Sequence, residues 1–147
     1  MLLITFSYLK EDISSLVAIA ESSKDIWDYR VSDLIDNRHG FFLCEDDVIK
    51  GMCLYEKTIH TDTYTAIRLD MIQIARRYRG HKLSKYIVQE LFNNPLRRFD
   101  AIRVDEYSDI GLVALKPLIM AFAKAYQVSV LDCQNKLVVP NNSIHLI

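Results

Sequence analysis

The sequence predicts a mixed α/β domain, and three observations carry that expectation. Short apolar runs suited to strands alternate with segments whose apolar residues recur at helical spacing. The segments follow in the order β-α-α-β-β-β-α-β-α-β-β, which calls for helices laid on a sheet of about six or seven strands. One strand also passes through a basic loop holding a single glycine straight into an amphipathic helix.

Leu2 to Tyr8 is apolar enough for a first strand. Acidic helical segments are expected over Glu11–Glu21, with Ile13, Leu16, Val17 and Ala20 at helical spacing, and over Asp25–Asn37, with a looser stripe of Ile26, Tyr29 and Leu34. Ser23 or Asp25 suits the cap of the second. His39-Gly40 then breaks the pattern. Phe41–Cys44 and Val48–Lys57 read as a hairpin through Glu45-Asp46-Asp47, because acidic turn residues separate two apolar runs. After a polar turn at His60–Thr63, a longer strand spans Tyr64 to Ile74. The next helix places Leu83, Ser84, Ile87, Val88, Leu91 and Phe92 on one face, and Asn93-Asn94-Pro95 stops it. Ala101–Glu106 reads as a short strand. Leu112–Tyr126 reads as a second apolar helix, its regular part starting near Lys116 because Pro117 is tolerated only in a first turn. Val128–Leu131 and Leu137–Val139 can close a final hairpin across Cys133–Lys136. The tail Pro140–Ile147 either completes the sheet or reaches a second subunit, which leaves a homodimer open.

With 147 residues and no Pro/Gly/Ser-rich linker, one domain is the simplest organisation. The net charge of −1 gives no global pull toward nucleic acid. The charges are unevenly placed, however. Glu11 to Asp47 holds ten acids against three bases, and Arg76 to Arg103 holds eight bases against Glu90 and Asp100. Such asymmetry steers unlike ligands to different faces, or lets two solvated surfaces attract each other. Cys44, Cys53 and Cys133 have no CxxC spacing, so reduced thiols and an intracellular setting are expected. The apolar start lacks a basic leading region and a small-residue cleavage site, and no stretch approaches the ~20 apolar residues of a membrane span. A cytoplasmic protein is the expectation. No spacing of His, Cys, Asp and Glu resembles a metal site.

The most informative stretch is Ile72 to Phe92. Arg76, Arg77, Arg79, Lys82 and Lys85 fall within ten residues, and one of the chain's four glycines, Gly80, sits among them. Cations gathered at the free N–H groups of a helix start suit an anion, and a glycine there permits a tight bend or a close approach. The loop reads as a site for a phosphate-bearing cofactor.

Arg77-Tyr78-Arg79-Gly80-His81-Lys82 resembles the acyl-CoA loop of the GCN5-related N-acetyltransferase (GNAT) superfamily, whose form is Gln/Arg-x-x-Gly-x-Gly/Ala after the fourth strand. Arg77 and Gly80 match, and Lys82 stands where the second small residue belongs. Asp46 to Tyr55, with Gly51, is similar to the family's second and third strands, and the element order agrees over nearly the whole length. The resemblance implies a mostly antiparallel six- to seven-stranded sheet flanked by about four helices, acetyl-CoA as acyl donor and an amine acceptor, a small molecule or a protein. It assigns pantetheine to the backbone of Ile72, Gln73 and Ile74, and pyrophosphate to the N–H groups of Arg79, Gly80, His81, Lys82, Leu83 and Ser84. The family's Asn after the fifth strand is replaced by Ser108 or Asp109, and its helix tyrosine by Phe122 or Met120.

Acyl transfer to an amine needs alignment and a deprotonated nucleophile. Asp70, on the strand expected to line the cleft, is the candidate base, with pairing to Arg68 or Arg103 as the structural reading. Tyr107, after the fifth strand, is the candidate acid, with a partly buried structural tyrosine as the alternative. His60 and His81 titrate in a useful range, His60 reading as a turn residue and His81 as a loop residue near phosphate. The acidic first half suits a cationic acceptor. Two other functions compete: a GNAT-like module without catalysis, favoured by Lys82 and the missing tyrosine, and a nucleic-acid binder using the basic loop with Tyr78 for stacking. The near-neutral total charge argues against the latter.

Overall fold

The computed structural model describes residues 2–7, 39–45, 48–61, 64–80, 82–93 and 99–138. The helices expected over Glu11–Glu21 and Asp25–Asn37, and the tail Pro140–Ile147, lie outside them. Two compact units emerge, one within Met1–Glu56 and Leu69–Ile87, the other within Lys57–Arg68 and Val88–Ile147. The long strands β3 (Val48–Thr61) and β4 (Tyr64–Ile74) contribute to both.

In the first unit the strand order is β1-β2-β3-β4. Strand β1 (Leu2–Ser7) runs antiparallel to β2 (His39–Glu45), with Leu2 opposite Cys44 and Ser7 opposite His39. Strand β2 is antiparallel to β3, as the hairpin pattern predicts. Gly40 to Cys44 and Gly51 to Tyr55 are buried at every position, which is why F-F-L-C and M-C-L-Y are continuous apolar runs rather than alternating ones. His39 and Gly40 already belong to β2, which begins two residues before the expected Phe41. They face Tyr55 and Leu54 in the ladder, and the His39 ring stacks on Tyr55 at 5.8 Å. Pairing on both sides outweighs the weak strand preference of glycine. The register slips once: Leu43 faces Gly51 and Cys44 faces Ile49, leaving Lys50 as the extra residue of a β-bulge.

In the second unit the order is β3-β4-β5-β6. Strand β5 (Ala101–Val104) lies parallel to β6 (Ser129–Leu131), and the helix Asp109–Tyr126 is their crossover. Strand β5 stops before Asp105, whose carboxylate turns back to pair with Arg103. The crossover helix starts at Asp109, seven residues before the start near Lys116 expected from Pro117. Ser108 Oγ accepts a hydrogen bond from the Gly111 N–H at 3.0 Å and caps the earlier start. The carbonyl that Pro117 leaves without its helical donor belongs to Val113, 78% exposed, so water can serve it. Gln127, in the left-handed region at φ 57°, ends the helix by donating to the Ala123 and Lys124 carbonyls. Beyond β6, Asp132 Oδ1 accepts from the N–H groups of Gln134 and Lys136, and Leu131 bridges Leu137. This is the turn of the expected final hairpin, with Val139 outside the described residues. Among the described residues no helix is long and apolar enough to cross a membrane.

We label the helix Leu83–Asn93 α1 and the crossover helix α2. The buried face of α1 is Leu83, Ile87, Val88, Leu91 and Phe92, the stripe its periodicity predicts. Its first turns reach the strands at Gly51. A Cβ there would lie 2.8 Å from Ile87 Cδ1, 3.0 Å from Ile74 Cδ1 and 3.3 Å from the Gln73 carbonyl oxygen. Two of these neighbours are side-chain ends that can shift, but the third is backbone. Gly51→Ala is therefore expected to lower stability by about 1–3 kcal/mol, the cost of overpacking, in urea denaturation. An unchanged midpoint would show that α1 has room to move.

Candidate functional site

The site is built in the first unit, where β4 ends and α1 begins. The last residues of β4 put Gln73 in the interior, 7% exposed, with Asp70, Ile72 and Ile74 half-buried beside it. Ala75 is fully buried, and its N–H donates to the Lys50 carbonyl at 2.9 Å, so the chain stays tied to β3 for one residue past the strand. Arg76–Tyr78 then forms one 3-10 turn, closed by Tyr78 N–H on the Ala75 carbonyl at 2.8 Å and Arg79 N–H on that of Arg76 at 3.3 Å.

Two residues beyond this turn have positive φ. Gly80 is at 86° and Lys82 at 60°. Among the described residues, chain neighbours aside, no atom lies within 4 Å of where a Gly80 side chain would begin, so conformation rather than crowding demands glycine there. Lys82 takes the left-handed shape that a side chain opposes by about 1–2 kcal/mol. Its carbonyl accepts from the Lys85 N–H at 3.3 Å, which starts α1. Leu83 turns into the core and Ser84 is half-buried, while Arg77, Arg79, Gly80, Lys82 and Lys85 are exposed. His81 lies outside the described residues.

The cations differ in how they are held. Arg79 Nε donates to the Ile74 carbonyl at 2.8 Å, folding this side chain back onto the end of β4. Lys50 Nζ lies 4.8 Å from the Tyr78 ring centroid and 2.6 Å from Glu45 Oε1. The hydrogen bond from Lys50, and its charge, hold the Glu45 carboxyl below its ordinary pKa. Among the described residues Arg77, Lys82 and Lys85 make no ion pair, so their charge faces outward at the helix start. Lys50 and Glu45 are the residues that sequence reasoning missed. The available signal was a lone lysine in the apolar run V-I-K-G-M-C-L-Y.

Asp70 lies on β4 in the first unit, whereas Tyr107 belongs to the second, between β5 and α2. Burial pushes the Tyr107 hydroxyl up to about 12. Arg103, one reading of the partner for Asp70, pairs with Asp105, the second of its contacts at 3.2 Å. Ser108, in the region of the family's asparagine, is spent on the helix cap. Phe122 stacks on Phe92 at 6.1 Å, and Tyr126 hydroxyl donates to Asn93 Oδ1 at 2.8 Å, so both serve packing in the second unit. Among the described residues no three His, Cys, Asp or Glu side chains gather into a metal-sized cluster.

No protein-family model and no curated protein matches the sequence. Solved structures share its fold. An integron cassette protein from the mobile metagenome of V. cholerae superposes with a TM-score of 0.54 at 12% identity, covering 99% of this chain and 96% of its own. An aminoglycoside acetyltransferase from an uncultured soil metagenomic sample, solved with sisomicin, gives 0.53 at 10% identity and 86% coverage of each chain. An aminoglycoside N-acetyltransferase solved with CoA gives 0.52 at 12% identity, covering 94% and 91%. The fold is that of the GNAT acetyltransferases.

The Tyr107 shift has a checkable consequence. A phenol whose folded pKa is raised favours the native state below its ordinary value near 10, and that contribution is lost as pH rises through about 12. Alkaline titration of tyrosinate absorbance is expected to show a late-ionising component that Tyr107→Phe reduces by one group. The fall in stability over the same window should be shallower in that variant. Ordinary ionisation of every tyrosine would place Tyr107 in solvent.

Proposed function

We infer that the protein is an acyl-CoA-dependent N-acyltransferase that moves an acetyl group from acetyl-CoA to a primary amine. The observation that carries this reading is the passage from β4 to α1. A buried strand end, two positive-φ positions at Gly80 and Lys82 and three outward cations meet at one helix N-terminus. Pantetheine would bond to the backbone of Ile72, Gln73 and Ile74. The pyrophosphate would lie on the N–H groups of Arg79, Gly80, His81, Lys82, Leu83 and Ser84, with Arg77, Lys82 and Lys85 adding charge. Lys82 has a left-handed backbone and offers a phosphate a point charge from the side. The fold neighbour solved with CoA supports the cofactor, and the one solved with sisomicin supports an amine acceptor.

Asp70 is the residue we assign to removing a proton from the acceptor ammonium, whose pKa lies near ~10.4. The freed amine attacks the thioester carbonyl, the C–N bond forms, and the C–S bond breaks with its electrons passing to sulfur. The nitrogen loses its second proton to water as the tetrahedral intermediate collapses, and water returns a proton to the thiolate at neutral pH.

A second reading, a binding module without catalysis, draws on Phe122 packed against Phe92 in the region of the family's helix tyrosine. Calorimetric titration with acetyl-CoA and dephospho-CoA separates the two. The enzyme reading expects binding that weakens when the 3′-phosphate is missing; no heat and no thermal stabilisation at high ligand would favour the module. Gly80→Glu is expected to weaken acetyl-CoA by ~100-fold or more, through like charge beside phosphate, without loss of fold. Unchanged affinity in that variant would remove the loop from the site. Asp70→Asn should lower turnover by ~10²–10⁴-fold with little change in acetyl-CoA affinity, as loss of a general base does; full activity would show that Asp70 is not the base.

A further inference from the structure

The loop that would carry the phosphates is held by a residue outside it. Lys50 is the extra residue of the β3 bulge, and a bulge re-aims both the backbone and the side chain of the residue it inserts. Its carbonyl accepts the Ala75 N–H at 2.9 Å. Its Nζ lies 4.8 Å from the Tyr78 ring centroid and is held by Glu45 Oε1 at 2.6 Å. One residue thus grips the 3-10 turn before its first position, by backbone, and at its last, by side chain. The Lys50 side chain is only 17% exposed, and its charge is matched by Glu45, so it is spent on the turn and not offered to a ligand. The outward cations Arg77, Lys82 and Lys85 remain for that.

We propose that Lys50, fixed by Glu45 and seated on Tyr78, is a positioning residue for the phosphate-binding turn: it sets the direction in which the N–H groups of Arg79, Gly80, Lys82, Leu83 and Ser84 point, without touching the cofactor. This rests on the acyl-CoA reading for its ligand, but the clamp can be measured without any ligand. A cation over an aromatic ring contributes more as it is desolvated, which suits the largely covered ammonium here.

The test uses Lys50→Met, which keeps the backbone bond and stem but removes the charge, and Lys50→Arg, which keeps a cation able to stack on Tyr78. In the ligand-free protein, amide exchange of Tyr78 and Arg79 is expected to quicken about 5- to 10-fold in Lys50→Met and to return in Lys50→Arg. Affinities for acetyl-CoA and dephospho-CoA should fall together by a similar factor of about 5 to 10. Unchanged exchange in folded Lys50→Met overturns the clamp. A loss confined to the donor bearing the 3′-phosphate overturns the positioning role by making Lys50 a direct contact. Should Lys50→Met fail to fold, Tyr78→Leu removes the ring alone and is expected to give the same two changes, and their absence there overturns the clamp equally. If the wild type binds neither donor, the acyl-CoA reading falls, while the exchange result still decides the clamp.

Discussion

The site depends on a close approach that only a missing side chain allows. At Gly51 the terminal carbons of Ile87 and Ile74 and the carbonyl of Gln73 converge on the space a Cβ would fill. That approach sets how near the first turns of α1 lie to the ends of β3 and β4, and so where the helix N-terminus sits. Interiors packed to crystal density transmit such a displacement rather than absorb it. The adjoining bulge at Lys50 then fixes the turn between β4 and α1 through Ala75 and Tyr78. Gly51 and Lys50 are neighbours in sequence with complementary roles, one by leaving space and the other by reaching across it.

The charges around this turn divide by function. Arg79 bonds to the carbonyl of Ile74 and Lys50 to Glu45, so these two stabilise the turn itself. Such pairs contribute little to stability when exposed, but here they fix a short backbone segment. The second unit spends its polar groups on its own architecture. Ser108 starts α2, Gln127 ends it, and Asp132 closes the turn after β6. Tyr107 differs from these, a hydroxyl drawn toward the interior and held protonated.

Several features were legible because they are local. Strand β4 runs from Tyr64 to Ile74 as its composition predicts, and the buried stripe of α1 follows from its period alone. Gly80 was legible as a bend because few residues tolerate positive φ. The errors have physical causes. Pro117 suggested a late helix start, but the cap at Ser108 and the exposure of Val113 made the proline tolerable inside α2. The strand after the acidic segments was expected from Phe41, but His39 and Gly40 are already paired in the sheet.

What the sequence determined by itself was the mixed α/β class, the strand–basic loop–helix unit and the cations that unit would carry, because helix period, strand composition and glycine chemistry act over a few residues. Tertiary structure alone decided which cation stabilises the turn and which faces outward. Lys50 and Tyr78 are 28 positions apart in sequence and meet only because a bulge shifts the register of β3 while β4 brings the turn alongside it. It also decided that the strands either side of α2 run parallel, since the direction of a strand is fixed by the partner it meets and not by its own residues.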